Sequence, residues 1–242
     1  MHRRPQKTDL IVAKSIVDDS HTQGQTTGDR LPPERVMLEN HQIGRGTLRE
    51  ALRYLELQGI IALKPGPGGG PIIDKPDAGH FANGLLLLLQ FSTAPFSTVV
   101  EARRDLEPVM ARHAASRMTD DQLQRLAETV EVMRCKLDDR DVFLESNRQF
   151  HEVIAWSSAN SVYGFLIDAL IGIVDGTQLG VSYPDSRRKA ILGAHDRILS
   201  ALQAHDGDAT EEAMAEHMTE FVRYMQRRYQ DVLDQTVTWD LW

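Results

Sequence analysis

Three histidines stand where apolar residues would be expected. Read at helical spacing, the inward-facing positions run Leu144, Asn147, His151, Ile154 in one segment, Ile191, His195, Ile198, Leu202 in a second, and Met214, His217, Met218, Phe221 in a third. A buried imidazole must find partners for its ring nitrogens, and a single histidine on such a stripe usually finds them by ordinary hydrogen bonding. Three of them from separate segments can instead be satisfied together by one divalent ion. Asn147 precedes His151 by one turn on the same face and offers an amide oxygen as a fourth ligand. A nitrogen-rich set with open positions suits Zn, Ni or Mn. Arg103 has two readings. It interrupts the stripe Val99, Leu106, Met110, so its guanidinium either projects into the same interior and clamps a carboxylate, or pairs at the surface with Glu107 four residues on.

A second pattern is cationic. Arg45, Arg49 and Arg53 recur at i, i+4 and i+8 beside the apolar set Leu48, Ala51, Leu52, Leu55. Such a helix packs by one side and presents guanidinium groups on another, and arginine near its N-terminal end suits guanine edges or phosphates. Arg35, at the start of the preceding helix, and Lys64, beside the bare backbone around Gly68, add groups that can approach a phosphate closely.

The elements that must position these residues fall into two halves. Residues 8–20 read as a helix, Pro33-Glu34-Arg35 opens a second, Gln42-Ile43-Gly44 is a short turn, and Arg45 to Gln58 forms a third helix stopped by Gly59. Ile60–Lys64 and Gly70–Asp74 are β-prone runs around a Gly/Pro-rich stretch from Lys64 to Pro76, which makes a small wing. Two helices, a tight turn and a wing describe a winged helix-turn-helix, whose second helix enters the major groove. Beyond Pro76 the pattern is helical almost throughout. Breaks near Thr93–Pro95, Thr119, Asp138–Arg140, Ala159-Asn160, Tyr183-Pro184 and His205–Asp208 leave six or seven helices. The expected architecture is therefore mainly α: a DNA-binding domain over residues 1–75, a linker and first helix over 76–96, and an all-helical domain over 97–242.

The blocks Gly28-Asp29-Arg30-Leu31-Pro32-Pro33-Glu34-Arg35, Arg45-Gly46-Thr47-Leu48-Arg49-Glu50-Ala51-Leu52 and Leu55-Glu56-Leu57-Gln58-Gly59-Ile60-Ile61 closely resemble the N-terminal domain of GntR-type bacterial transcription regulators. The resemblance implies DNA contact through Arg35, Arg45, Arg49 and a wing-tip glycine at Gly68 or a neighbour; Thr47 and Lys64 complete the expected contact set. Gln42 replaces the customary turn glycine, Gly44 the usual Ser, and His41 a residue more often apolar. The second half resembles the FCD-type effector domain of the FadR branch. That likeness rests on Glu101-Ala102-Arg103-Arg104-Asp105-Leu106-Glu107, Asn147-Arg148-Gln149-Phe150-His151, His195-Asp196-Arg197-Ile198-Leu199, Asp208 and His217. It implies a metal held by Asn147, His151, His195 and His217, with Asn147 in place of the commoner Asp. A neutral amide oxygen lacks a carboxylate's Coulombic attraction, so an anionic effector is expected to supply the missing charge.

Composition fits this division. The 242 residues carry a net charge of -8, yet residues 1–76 hold 11 Lys+Arg against 9 Asp+Glu and the remainder 16 against 26. The acidity is all in the helical half, which points to two modules with different partners. One cysteine excludes an intrachain disulfide framework and a Cys-rich zinc finger. The longest apolar run, Leu85–Leu89, is too short to span a bilayer, and no secretion signal is visible, so the expected address is the cytoplasm. Catalytic motifs are missing: neither HExxH, nor a phosphate loop, nor a nucleophile elbow, nor CxxC occurs. The expected protein is a homodimeric regulator rather than an enzyme, acting as a repressor that binds double-stranded operator DNA and a small carboxylate effector. The alternatives are a metal-dependent hydrolase built on the histidines and a metal-free regulator with a structural histidine core.

Overall fold

A computed structural model of the protein describes residues 8–66, 69–75, 77–174 and 180–238. The chain divides into two compact units, Met1–His80 and Phe81–Trp242.

The first unit contains α1 (Thr8–Thr22), α2 (Glu34–His41), α3 (Arg45–Leu57), β1 (Ile61–Lys64) and β2 (Gly70–Ile73). Its core is small: Val12, Ala13 and Ile16 of α1 meet Met37 of α2 and Leu48, Ala51, Leu52 and Leu55 of α3. The strands pair antiparallel, Ile61 opposite Ile73 and Lys64 opposite Gly70. An isolated bridge from Arg30 to Ile72 extends the wing by one more partner. The turn between α2 and α3 is closed by Gln42 in the left-handed region, φ 51° and ψ 46°, with its N–H donating to the Leu38 carbonyl. That conformation is the one glycine adopts without strain, so Gln42 keeps the turn geometry at a conformational cost. Gly68 lies outside the described residues.

The second unit is helical among its described residues. It comprises α4 (Ala78–Phe91, which starts just before the boundary), α5 (Phe96–Arg117), α6 (Asp120–Cys135), α7 (Arg140–Ser157), α8 (Ser161–Ile173), α9 (Asp185–Gln203), α10 (Gly207–Arg228) and the single turn α11 (Gln230–Leu233). Seven long helices and a terminal turn answer the six or seven expected. The breaks fall where side chains can satisfy free N–H groups. Thr119 and Gln122 form a capping box on α6, and Asp139, Asn160 and Asp206 accept from the first turns of α7, α8 and α10. Each cap replaces water at an orphan donor, worth about 1 kcal/mol. One buried cluster packs Ala111, Ala114, Leu126, Phe150, Ile154, Ile198, Met214 and Met218 from α5, α6, α7, α9 and α10. The three histidines lie on α7, α9 and α10, whose stripes are drawn together by that apolar contact.

Candidate metal centre and DNA-facing helix

His151, His195 and His217 meet inside the helical unit. All three are buried, and one ring nitrogen from each lies within 4.8 Å of the others. Ring centroids are separated by 5.5 Å for His151–His195, 5.3 Å for His151–His217 and 4.9 Å for His195–His217. The Nε2 atoms of His151 and His217 are 3.4 Å apart. Phe150 stacks on His195 at 3.7 Å between centroids and 7° between planes, fixing that ring in position.

Electrostatics favour ligands over charges here. Burial pushes His195 well below the ordinary imidazole range, and His217 and His151 push it further. His217 is driven down by burial and by His151, against the attraction of Glu107. Both imidazoles are therefore neutral at pH 7, the form that carries a lone pair for a metal. Neither Nδ1 nor Nε2 of His195 has a hydrogen-bond partner among the described residues, although both are buried. Leaving a buried polar atom unsatisfied costs about 1–3 kcal/mol, and a metal ion would remove that penalty for one of the two nitrogens. The donor set thus fits a divalent ion.

The sequence offers Glu107 only as a surface partner for Arg103; the structure places it against the cluster. Its Oε2 pairs with His151 Nδ1, and its Oε1 accepts from Arg103 Nε at 2.7 Å. Burial alone would raise the Glu107 carboxyl; Arg103 and His151 outweigh it and hold the group down at about 2. A carboxylate so stabilised is a poor proton acceptor at neutral pH. It acts instead as an orienter: with Nδ1 engaged, the Nε2 of His151 is the nitrogen that faces the other imidazoles. The signal was legible in spacing, since Arg103, Glu107, Met110 and Ala114 follow i, i+4, i+7, i+11 on the buried face of α5.

Arg103 satisfies parts of both of its readings. It pairs with Glu107, but the pair is buried rather than exposed, and its guanidinium also borders a cavity of about 260 Å³. Asn147, His151 and His217 line the same cavity, with Asn147 half-buried on the α7 face. Glu152 adjoins His151 in sequence yet is not among the residues lining that space; it pairs with Arg148 instead.

In the first unit, α3 presents Arg45, Arg49 and Arg53 as exposed side chains while Leu48, Ala51, Leu52 and Leu55 are buried. None of the three arginines forms an ion pair with a carboxylate among the described residues. Arg35 is exposed and paired with Glu39 at 2.9 Å, an arrangement a phosphate can displace at small cost. Thr47 is half-buried in the first turn of α3, and Lys64 is exposed at the end of β1. The α3 N-cap, Gly44, makes no side-chain bond to the helix, and a Cβ on Gly46 would meet nothing, so the first-turn N–H groups stand open to an anion.

Each unit matches a known protein family. The bacterial regulatory protein family gntR matches residues 12–69, and the FCD domain matches residues 98–220. An HTH-type transcriptional regulator, YcbG, of Bacillus subtilis (strain 168) is 30% identical over 196 residues, covering 81% of this chain and 80% of the relative. The chain belongs to the GntR family. It is a DNA-binding transcription regulator with an FCD domain, not an enzyme. An HTH-type transcriptional repressor, NanR, of Enterobacter sp. (strain 638) is 26% identical over 226 residues, covering 90% of this chain and 86% of that one. The solved structure of Streptococcus agalactiae GntR superposes with a TM-score of 0.73 at 25% identity, covering 89% of this chain and 99% of that one. FCD domains commonly bind metal, and GntR-family regulators act as dimers. No described helix is long and apolar enough to cross a membrane.

Proposed function

We propose that this GntR-family regulator is a repressor whose helical domain binds a small organic acid together with a divalent metal ion. The observation that carries the reading is the convergence of three buried imidazoles, one with both nitrogens unpartnered among the described residues, beside a cavity of about 260 Å³. His151, His195 and His217 hold the ion, Asn147 supplies an oxygen, and Zn, Ni or Mn fits such a set. When bound, the ion supplies a positive centre that attracts an anionic effector. Glu107 positions His151, and Arg103 lends the cavity a positive wall while remaining tied to Glu107.

On the DNA side, Arg35, Arg45, Thr47, Arg49, Lys64 and Gly68 form the contact set, with α3 in the major groove. The chain acts as a homodimer, two α3 helices reading half-sites about 34–36 Å apart. Effector binding shifts helix packing in the FCD domain and so changes how the two reading heads are held; only an acid with unequal affinity for the two arrangements can do this. The repressor role follows the NanR relatives. In the cell such a protein works in the cytoplasm.

Elemental analysis of the purified protein, combined with a thermal-shift screen of small carboxylic acids, tests the reading. Near-stoichiometric metal and stabilisation by at least one acid are expected. Protein that takes up no Zn, Ni or Mn after incubation with each would leave a metal-free regulator with a structural histidine core.

A further inference from the structure

The cavity beside the histidines is walled by three guanidinium groups, and two of them are already engaged. Arg103 Nε donates to Glu107 at 2.7 Å, and Arg148 binds Glu145 at 2.6 Å as well as Glu152. Arg187 differs. Among the described residues it forms no ion pair with a carboxylate, and its buried Nε has no hydrogen-bond partner. Burial, the first influence on it, works against its charge; Tyr183, Glu220 and Tyr224 support the charge, and Arg227 opposes it. Glu220 is the only acid in that group, and it is taken by Arg223 at 2.6 Å and by Arg227 at 3.9 Å. The Arg187 guanidinium lies over the Tyr224 ring, 4.7 Å from its centroid, so the aromatic face fixes the fork before any ligand arrives.

We propose that Arg187 receives the carboxylate of the effector, and that the effector is a two-ended acid bridging Arg187 and the histidine cluster. This rests on the organic-acid reading above and names the residue and ligand shape that reading leaves open. Arg187, Ile191 and His195 stand at i, i+4 and i+8 on α9, so Arg187 sits two turns before a cluster histidine on one face. Eight residues rise about 12 Å along the axis, part of which the arginine side chain spans. Arg187, His151 and His217 line the same cavity of about 260 Å³. A ligand that small satisfies both ends only if its carboxylate and a second oxygen donor are separated by a short chain, as in a dicarboxylate or a hydroxy acid. Arginine retains its charge when buried, so an unpaired guanidinium gains most from an anion that accepts two parallel hydrogen bonds. Arg187 also borders two neighbouring clefts, which gives the acid a route to it from the surface.

The test uses full-length, Zn-loaded protein and four probes: acetate, succinate, L-malate and D-gluconate. Thermal shift and calorimetry are run on the wild type, Arg187→Gln and Arg187→Lys, with zinc content measured for each. At least one two-ended acid should bind the wild type while acetate does not. Arg187→Gln should weaken that acid about 30-fold or more, and Arg187→Lys less, since a point charge keeps attraction but not the fork. Zinc content and the ligand-free melting temperature of Arg187→Gln should match the wild type or exceed it. Binding by Arg187→Gln within about threefold of wild type would overturn the assignment of Arg187 while leaving an organic-acid effector standing. Loss of zinc uptake or a lowered ligand-free melting temperature in Arg187→Gln would overturn it too, by making the side chain structural. If none of the acids binds the wild type, the organic-acid reading itself fails and this assignment falls with it.

Discussion

Glu107 and His151 pair inside the helical unit, carboxylate oxygen to Nδ1, with both side chains buried. The pair joins α5 to α7 and decides which imidazole nitrogen is left for the cluster. It also ties Arg103 to the histidines, because Glu107 is at once the partner of Arg103 and the support of a histidine.

Removing the carboxylate charge tests that link. Glu107→Gln keeps the shape but weakens its hold on both His151 and Arg103, leaving the guanidinium without its buried counter-ion. Loss of such a support typically lowers metal affinity about 10–100-fold, and breaking a buried ion pair costs about 3–5 kcal/mol. Competition with a chromophoric zinc chelator should show the weaker affinity, and urea denaturation the lower stability. Zinc affinity equal to that of the wild type would mean that His151 needs no orientation from Glu107.

His195→Leu separates the two accounts of the histidine core. In chelator the variant should be at least as stable as the wild type, because two unpartnered ring nitrogens are replaced by apolar atoms against Phe150. With zinc present at about a hundred times its dissociation constant, the wild type should gain about 2.7 kcal/mol that the variant does not. The order of melting temperatures should therefore invert between the two buffers. An imidazole needed only for packing predicts the wild type ahead in both.

Arg49 is exposed on α3 and free of any carboxylate partner among the described residues, so its replacement should spare the fold. Arg49→Ala is expected to lower the dependence of duplex affinity on log salt by about 0.9 for a phosphate contact. It should cost about 1–3 kcal/mol at one base position if the contact is a guanine edge. Mobility shifts across a salt series on non-specific and operator duplexes distinguish the two. An unchanged slope together with unchanged operator affinity would remove Arg49 from the interface.

The legible part of this fold lay in punctuation and periodicity. Thr119, Asp139, Asn160 and Asp206 cap helices at the breaks their types announce, and the apolar stripes of α7, α9 and α10 already carried His151, His195 and His217 inward. Spacing along one helix says nothing about which other helix it meets, so the contact between Glu107 on α5 and His151 on α7 was invisible. For the same reason spacing alone does not choose between surface pair and cavity wall for Arg103, and packing allows one side chain to be a buried pair and a wall together. Arg187 shares a face of α9 with His195 by spacing, but what marks it is the absence of a partner among the described residues, which only three dimensions reveal.

Asp168 on α8 offers a pH dependence away from the histidines. Burial raises its carboxyl above the ordinary aspartate range, against the opposing pull of a hydrogen bond from Trp156 Nε1 at 3.0 Å and of Arg148. An acid whose folded-state value is raised holds its proton more tightly in the folded chain than in the unfolded one. Between the two values the folded state binds more protons, so Asp168 lowers stability as pH rises through that window, and the effect is constant above it. Asp168→Asn keeps an oxygen to accept from Trp156 and removes the titration. The melting temperature of Asp168→Asn relative to wild type should therefore climb as pH is raised from the usual carboxylate range and then level off. Paired melting curves from pH 3.5 to 8 measure this directly. A difference that stays flat, or falls with rising pH, would show that Trp156 and Arg148 outweigh burial and that the Asp168 charge stabilises the fold.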